Sequence, residues 1–96
     1  MLSLTDAFDA YEAASHKLHD LHIERSELSA AELMTRANAY VSLVASGMNI
    51  TAVREGADNA AATFKAEAIK LGGEIDALHA QLRWLDHVIG HHRATG

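Results

Sequence analysis

The chain has neither cysteine nor proline among its 96 residues, and aromatic side chains make up only 5% of it. The absence of cysteine excludes disulfides, thiolate metal ligands and cysteine nucleophiles. The absence of proline removes the residue that most effectively breaks a helix, while alanine, the best helix former, occupies 19 positions. The composition therefore predicts an all-α protein.

Basic residues are also scarce, because 8 lysines and arginines stand against 13 acidic residues and give a formal net charge of −5. Nucleic-acid-binding surfaces usually carry a basic excess, so nucleic acid is not an expected partner. The chain has no run of 18 apolar residues and no signal-peptide pattern, so we expect no membrane partner and a cytoplasmic location. Its length suits a single helical domain over residues 1–96.

Polar residues and glycines at positions that favour helix ends indicate three helices. Ser3 is placed to cap the first, and Ser29 with Glu32 has the spacing of a capping box for the second. Gly47 suits the left-handed residue that ends a helix, and Asn49 is placed to cap the third. These signals predict helices over about residues 4–25, 30–46 and 50–90.

The third helix carries the most specific pattern in the chain, a heptad repeat of apolar residues. From residue 57 onward the steps alternate between four and three, which is typical of a coiled-coil seam. The pattern passes unbroken through Gly72–Gly73, so we expect the helix to continue there. The seam consists of Ala57, Ala61, Phe64, Ala68, Leu71, Ile75, Leu78, Leu82, Leu85 and Ile89.

The first two helices together match the third in length, which predicts a long antiparallel helical hairpin with its tip near Gly47. In such a hairpin, the numbers of facing residues add up to roughly 97. This rule places Tyr11 near Leu85. It also places Tyr40 near Ala57, on a helix whose apolar face includes Leu33, Ala37 and Val44.

The glycine pair at 72–73 conflicts locally with a helix, since each glycine costs about 1 kcal/mol relative to alanine there. The facing rule places the pair opposite Glu24–Arg25, beside the predicted break between the first two helices. We therefore predict a hinge or a close backbone crossing at this level. The alternative is that the glycines only relieve crowding.

A two-helix hairpin of this size has one shared face and is marginally stable, so a further contact is expected. Trp84 and Val88 lie off the seam and form a candidate outer patch. They predict self-association, with a three-helix monomer and a foreign partner as alternatives. The predicted interaction residues are Leu78, Leu82, Leu85 and Ile89 in the seam, with Trp84 and Val88 outside it.

Seven histidines raise the possibility of a metal site, and the facing rule places His16 near His79, with Glu12 or Asp76 as further ligands. However, no H-E-x-x-H pattern occurs, and a metal site needs three or four converging ligands. We therefore expect solvated surface histidines, and no metal or cofactor. No serine lies in a G-x-S-x-G turn, so no catalytic residue is predicted.

The tract between residues 39 and 85 resembles short helical accessory proteins encoded by phages and prophages of high-GC actinobacteria. Some such proteins bind host proteins, so the resemblance implies a phage or mobile-element origin and a host protein as a possible partner. The chain is also similar in length, acidity and central glycine to secreted helical hairpins, but its turn lacks the tryptophan of their W-x-G motif. The tract includes Ala39-Tyr40, Ala45-Ser46-Gly47-Met48, Ala57-Asp58, Glu67, Leu71, Glu74-Ile75, Leu78 and Leu82-x-x-Leu85.

Together these patterns predict a non-enzymatic protein–protein interaction module, a coiled-coil dimer or adaptor that binds itself and a host protein. Two other classes stay open. A secreted hairpin would need a partner hairpin and an export signal, and a histidine-based metal-binding protein would need stoichiometric metal.

If Leu82 is buried in the seam, Leu82→Ala should lower the free energy of unfolding by about 2–5 kcal/mol, because it removes apolar burial and leaves a cavity. Chemical denaturation followed by circular dichroism measures this change. Unchanged unfolding in the variant would contradict the assignment of Leu82 to the seam.

Overall fold

The computed structural model describes residues 2–95. They form two long helices, α1 (Leu4–Ala45) and α2 (Ile50–Thr95), joined by a short turn. The predicted all-α helical hairpin is therefore confirmed. Its antiparallel, heptad-based packing stays a prediction.

Two of the predicted caps form. The backbone N–H of Asp6 donates to Ser3 Oγ at 3.1 Å, and the backbone N–H of Ala52 donates to Asn49 Oδ1 at 2.9 Å. Each bond satisfies one of the backbone donors that a helix leaves free at its N-terminus. The starts of α1 and α2 are therefore fixed by local chemistry.

The end of α1 is set by Gly47, which adopts a φ of 81°. The N–H of Gly47 donates to the carbonyl of Val44 at 3.0 Å, and the N–H of Met48 donates to that of Leu43 at 3.4 Å. This pair of bonds is the Schellman arrangement, in which a left-handed glycine satisfies the last carbonyls of a helix. The predicted role of Gly47 is confirmed.

The predicted break between residues 25 and 30 is wrong, because α1 is continuous from Leu4 to Ala45. Ser29 and Glu32 do have capping spacing, but the Glu32 carboxylate accepts a hydrogen bond from Arg36 at 3.1 Å. A capping residue allows a helix to begin without forcing a preceding one to stop, and no glycine or proline interrupts this stretch. The backbone therefore keeps its helical hydrogen bonds through the site.

The predicted end of α2 at Gly90 is also wrong, since α2 runs to Thr95. The side chains after Gly90 find partners at the start of the chain. A ring nitrogen of His92 lies 2.8 Å from the carbonyl oxygen of Leu2, and the Arg93 guanidinium lies 5.7 Å from the centre of the Phe8 ring. These contacts, with basic side chains at the negative end of the helix dipole, stabilise the last turn.

The chain divides into two compact units. Unit 1 contains the residues up to Ile23 and those from Gly72 onward, and unit 2 is Glu24–Leu71. The single domain and the hinge near Gly72–Gly73 stay predictions.

The core of unit 1 combines two alanines and one leucine of α1 with larger aliphatic residues of α2. At one end Ala7, fully buried, packs with Leu85, and Tyr11 packs against the cluster that contains them. The predicted proximity of Tyr11 and Leu85 is confirmed. The buried residues of unit 1 are Ala7, Ala14, Leu21, Ile75, Leu78, Leu85, Val88 and Ile89.

Unit 2 buries fewer large side chains. Its fully buried positions lie on α2, and the facing side of α1 is only half-buried. At Gly56 the helices approach so closely that an added Cβ would lie 2.5 Å from Leu43 Cδ1. The buried residues of unit 2 are Val53, Ala57, Ala61 and Leu71, and the half-buried side of α1 includes Leu28, Ala31, Thr35, Ala39 and Leu43.

The helix continues through Gly72–Gly73, as the seam predicts. However, a Cβ added to Gly73 would meet no atom within 4 Å. Neither a close backbone crossing nor relief of crowding therefore explains the glycine at position 73.

Gly73→Ala should raise the free energy of unfolding by about 0.5–1 kcal/mol, because alanine favours the helix and fits without a clash. Gly56→Ala is the matched comparison, since it brings the same gain in helix propensity but forces the Leu43 side chain to move. It should therefore stabilise the fold less than Gly73→Ala. Urea denaturation of both variants measures the difference. A loss of stability in Gly73→Ala would show that something in the folded chain requires glycine there.

Candidate functional site

The four predicted interaction residues of the seam lie in unit 1. Leu78, Leu85 and Ile89 are buried, and Leu82 is half-buried. The chain's own packing covers the three buried side chains. They therefore stabilise unit 1 and present no surface to a partner.

The prediction that Val88 belongs to an outer patch with Trp84 is wrong. Val88 is 4% exposed and packs in the cluster with Leu85 and Ile89. It follows Leu85 by three positions, which brings it to the same side of α2 as Leu85. Trp84 does point outward, with 53% of its surface exposed.

A larger exposed apolar surface lies on α1 in unit 2. Leu33, Met34 and Val41 are 67%, 65% and 68% exposed, and Tyr40 and Val44 are also exposed. The spacing of three and four residues aligns them along one side of the helix. We call this surface the outer stripe; it consists of Leu33, Met34, Ala37, Tyr40, Val41 and Val44.

The outer stripe includes the face of α1 that the sequence analysis places against α2, with Tyr40 near Ala57. In the structure this face is exposed instead. Tyr40 is exposed, and α1 instead turns a side with small residues such as Ala31, Thr35 and Ala39 toward the interior of unit 2. These small side chains let the two helices approach closely, and the large apolar side chains of the outer stripe lie outside.

Four of the six outer-stripe residues lie in an uncharged part of the sequence, since residues 37–53 contain no acidic or basic side chain. The preceding cation, Arg36, is engaged on the inward side. Its guanidinium lies 3.1 Å from a Glu32 carboxylate oxygen and 3.2 Å from one of Asp58. These partly exposed ion pairs add little stability, but the pair with Asp58 joins α1 to α2.

A groove on unit 1 is a candidate site because it is lined by charged side chains. It has a volume of about 300 Å³, and its charged side chains are Lys17 and Glu74. Leu21, Ala77, Leu78 and Gln81 complete its lining. A groove of this composition offers no histidine or hydroxyl nucleophile with an adjacent base.

The metal site drawn from the facing rule does not assemble. The ring of His79 lies 6.1 Å from that of His22, whereas His16 lies beside Glu12, with 3.7 Å between Nε2 and Oε1. Within residues 2–95, no three histidine, cysteine or acidic side chains are placed to hold a metal ion together. The predicted pairing of His16 with His79 is wrong because the true facing partner is six residues further along α1.

Neither helix contains, within residues 2–95, a stretch that is long and apolar enough to cross a membrane. No family model, curated protein or solved structure matches the chain. The resemblances to phage accessory proteins and to secreted hairpins therefore stay predictions.

The structure sharpens the expectation for the seam. Leu85 is 1% exposed and Leu82 is half-buried, so Leu85→Ala should lower the free energy of unfolding by about 3–5 kcal/mol and Leu82→Ala by clearly less. Chemical denaturation of the two variants, which make the same truncation, measures the ratio. An equal or larger cost for Leu82→Ala would contradict the packing of unit 1.

Proposed function

We propose that this chain is a non-enzymatic protein–protein interaction module, a helical hairpin that self-associates and acts as an adaptor. The observation that supports this most directly is the outer stripe, in which Leu33, Met34 and Val41 are each about two-thirds exposed. Contiguous exposed apolar surface of this kind marks interaction sites. The stripe is built from aliphatic, methionine and tyrosine side chains, which suits contact with another protein rather than catalysis.

The energy of association favours a partner that brings apolar surface of its own. Burying the exposed two-thirds of one leucine, methionine or valine side chain stabilises a complex by about 1–2 kcal/mol. Association itself costs at least about 4 kcal/mol in lost freedom of motion. The free energy gained by burying one stripe offsets the cost of association only narrowly. Two stripes packed together contribute twice that free energy, so a second copy is a favourable partner.

The proposal also includes a second, foreign partner. The exposed Trp84 belongs to unit 1, whereas the outer stripe belongs to unit 2, and tryptophan is a common anchor at interfaces. The resemblance to phage accessory proteins suggests a host protein in the cytoplasm as this partner, and a phage or mobile element as the source of the chain.

Sedimentation velocity over a concentration series from about 1 to about 100 µM tests self-association, because apolar interfaces of modest size dissociate in this range. We expect the apparent mass to rise from 10.3 kDa toward twice that value or higher. A single 10.3 kDa species throughout the series would contradict the proposal that the chain binds itself.

A further inference from the structure

The outer stripe has a near-symmetric layout about its centre. Ala37, an exposed alanine, lies midway between Leu33 and Val41, and Met34 and Tyr40 lie at equal distances on either side. We propose that two copies pair through this stripe, α1 against α1 in opposite directions, with Ala37 at the two-fold axis. This inference rests on the proposed self-association and assigns it a surface and a geometry.

A second copy fits the stripe better than a charged partner. Four of the six stripe residues lie in the stretch 37–53, which has no charged residue, and the Arg36 that precedes it is engaged by Glu32 and Asp58. Nucleic acid or a strongly charged protein would find no counter-charges on it. A second stripe brings the same uncharged apolar surface, and a two-fold axis makes one patch complementary to itself.

The antiparallel direction follows from which side chains would meet. In this direction Leu33 of one copy faces Val41 of the other, and Met34 faces Tyr40. Ala30, at one end of the stripe, faces Val44 at the other end, so a small residue meets a larger one and the contact has an even width. A parallel pair would instead set Ala30 against Ala30 and leave a gap.

Charge favours the same direction. Glu27 is exposed at the edge of the stripe, one turn before Ala30. A parallel pair would bring Glu27 beside Glu27 of the second copy, and like charges side by side disfavour pairing. The antiparallel pair brings Glu27 beside the uncharged stretch 37–53 instead.

Ala37 allows the close approach that the pairing needs. Interhelical distances fall to about 8 Å only where the side chains at the crossing point are small. Position 37 is the only one of the six stripe residues with so small a side chain. At the axis, each Ala37 meets its own copy, and the larger neighbours on both sides pack around it.

The first test places a charge on the stripe. Val41→Glu should weaken dimerisation by about 100-fold or more, because an unpaired carboxylate would be buried against Leu33 of the other copy. Ile69→Glu is the matched control, since Ile69 is 67% exposed on α2 in the same unit and Val41 is 68% exposed on α1. The control should dimerise like the unmodified chain. Circular dichroism of both variants checks that the helices remain.

The second test uses the absence of cysteine, so that any introduced thiol is unique. Ala37→Cys should form a disulfide-linked dimer at least about 10-fold faster than Ala60→Cys, a control at an exposed alanine of α2, because pairing raises the effective thiol concentration. Leu33→Cys should link readily to Val41→Cys in a mixture of the two proteins and slowly to itself. The reverse preference would contradict the antiparallel direction.

The outcomes separate this inference from the proposed function. If the unmodified chain dimerises and Val41→Glu dimerises equally well, the stripe is not the interface, while self-association stands. If the unmodified chain is monomeric at every concentration, both proposals fail. A monomer that instead co-floats with phosphatidylcholine vesicles would assign the stripe to a lipid surface and overturn the pairing.

Discussion

Two helices can pack closely only where the side chains between them are small, and this constraint decides what each face of α1 does. In unit 1 the buried side chains of α1 include Ala7 and Ala14, and in unit 2 those of α2 include Ala57 and Ala61. In unit 2, Leu28 and Leu43 of α1 are half-buried against α2, and the large apolar side chains of the outer stripe remain outside. The outer stripe is therefore a consequence of how the hairpin packs.

The parts of the fold that depend on local bonds could be predicted from the sequence. Ser3 and Asn49 cap their helices and Gly47 ends α1, because each of these roles involves only a few neighbouring residues. The capping signal at Ser29 is equally local, and it gives the wrong prediction. It permits a helix to begin there, but α1 is continuous through this site and Glu32 accepts a hydrogen bond from Arg36 instead.

The parts that depend on packing were harder to predict. Hydrophobic periodicity gives most weight to large side chains, so it placed Leu33 and Val44 inside and overlooked the side of α1 that contains Ala31 and Ala39, which is the side that packs. A seam takes one residue in every three or four, so it includes Leu85 and Ile89 and leaves out Val88. All three side chains are buried in the structure. The inward side combines Ala31 and Ala39 with Leu28 and Leu43, so hydropathy alone does not distinguish it from the outer stripe.

The central claim is that the outer stripe is open in the monomer and covered by a second copy. Met34 reports on it directly, since it is 65% exposed and is the only methionine in the stripe, while Trp84, 53% exposed in unit 1, serves as an internal reference. Hydroxyl-radical oxidation of both side chains can be followed by mass spectrometry at increasing protein concentration. The account predicts that Met34 reacts readily in dilute protein and becomes protected as the concentration rises, while Trp84 reacts equally throughout. A Met34 side chain that is protected in dilute protein, or equally reactive at every concentration, would contradict it.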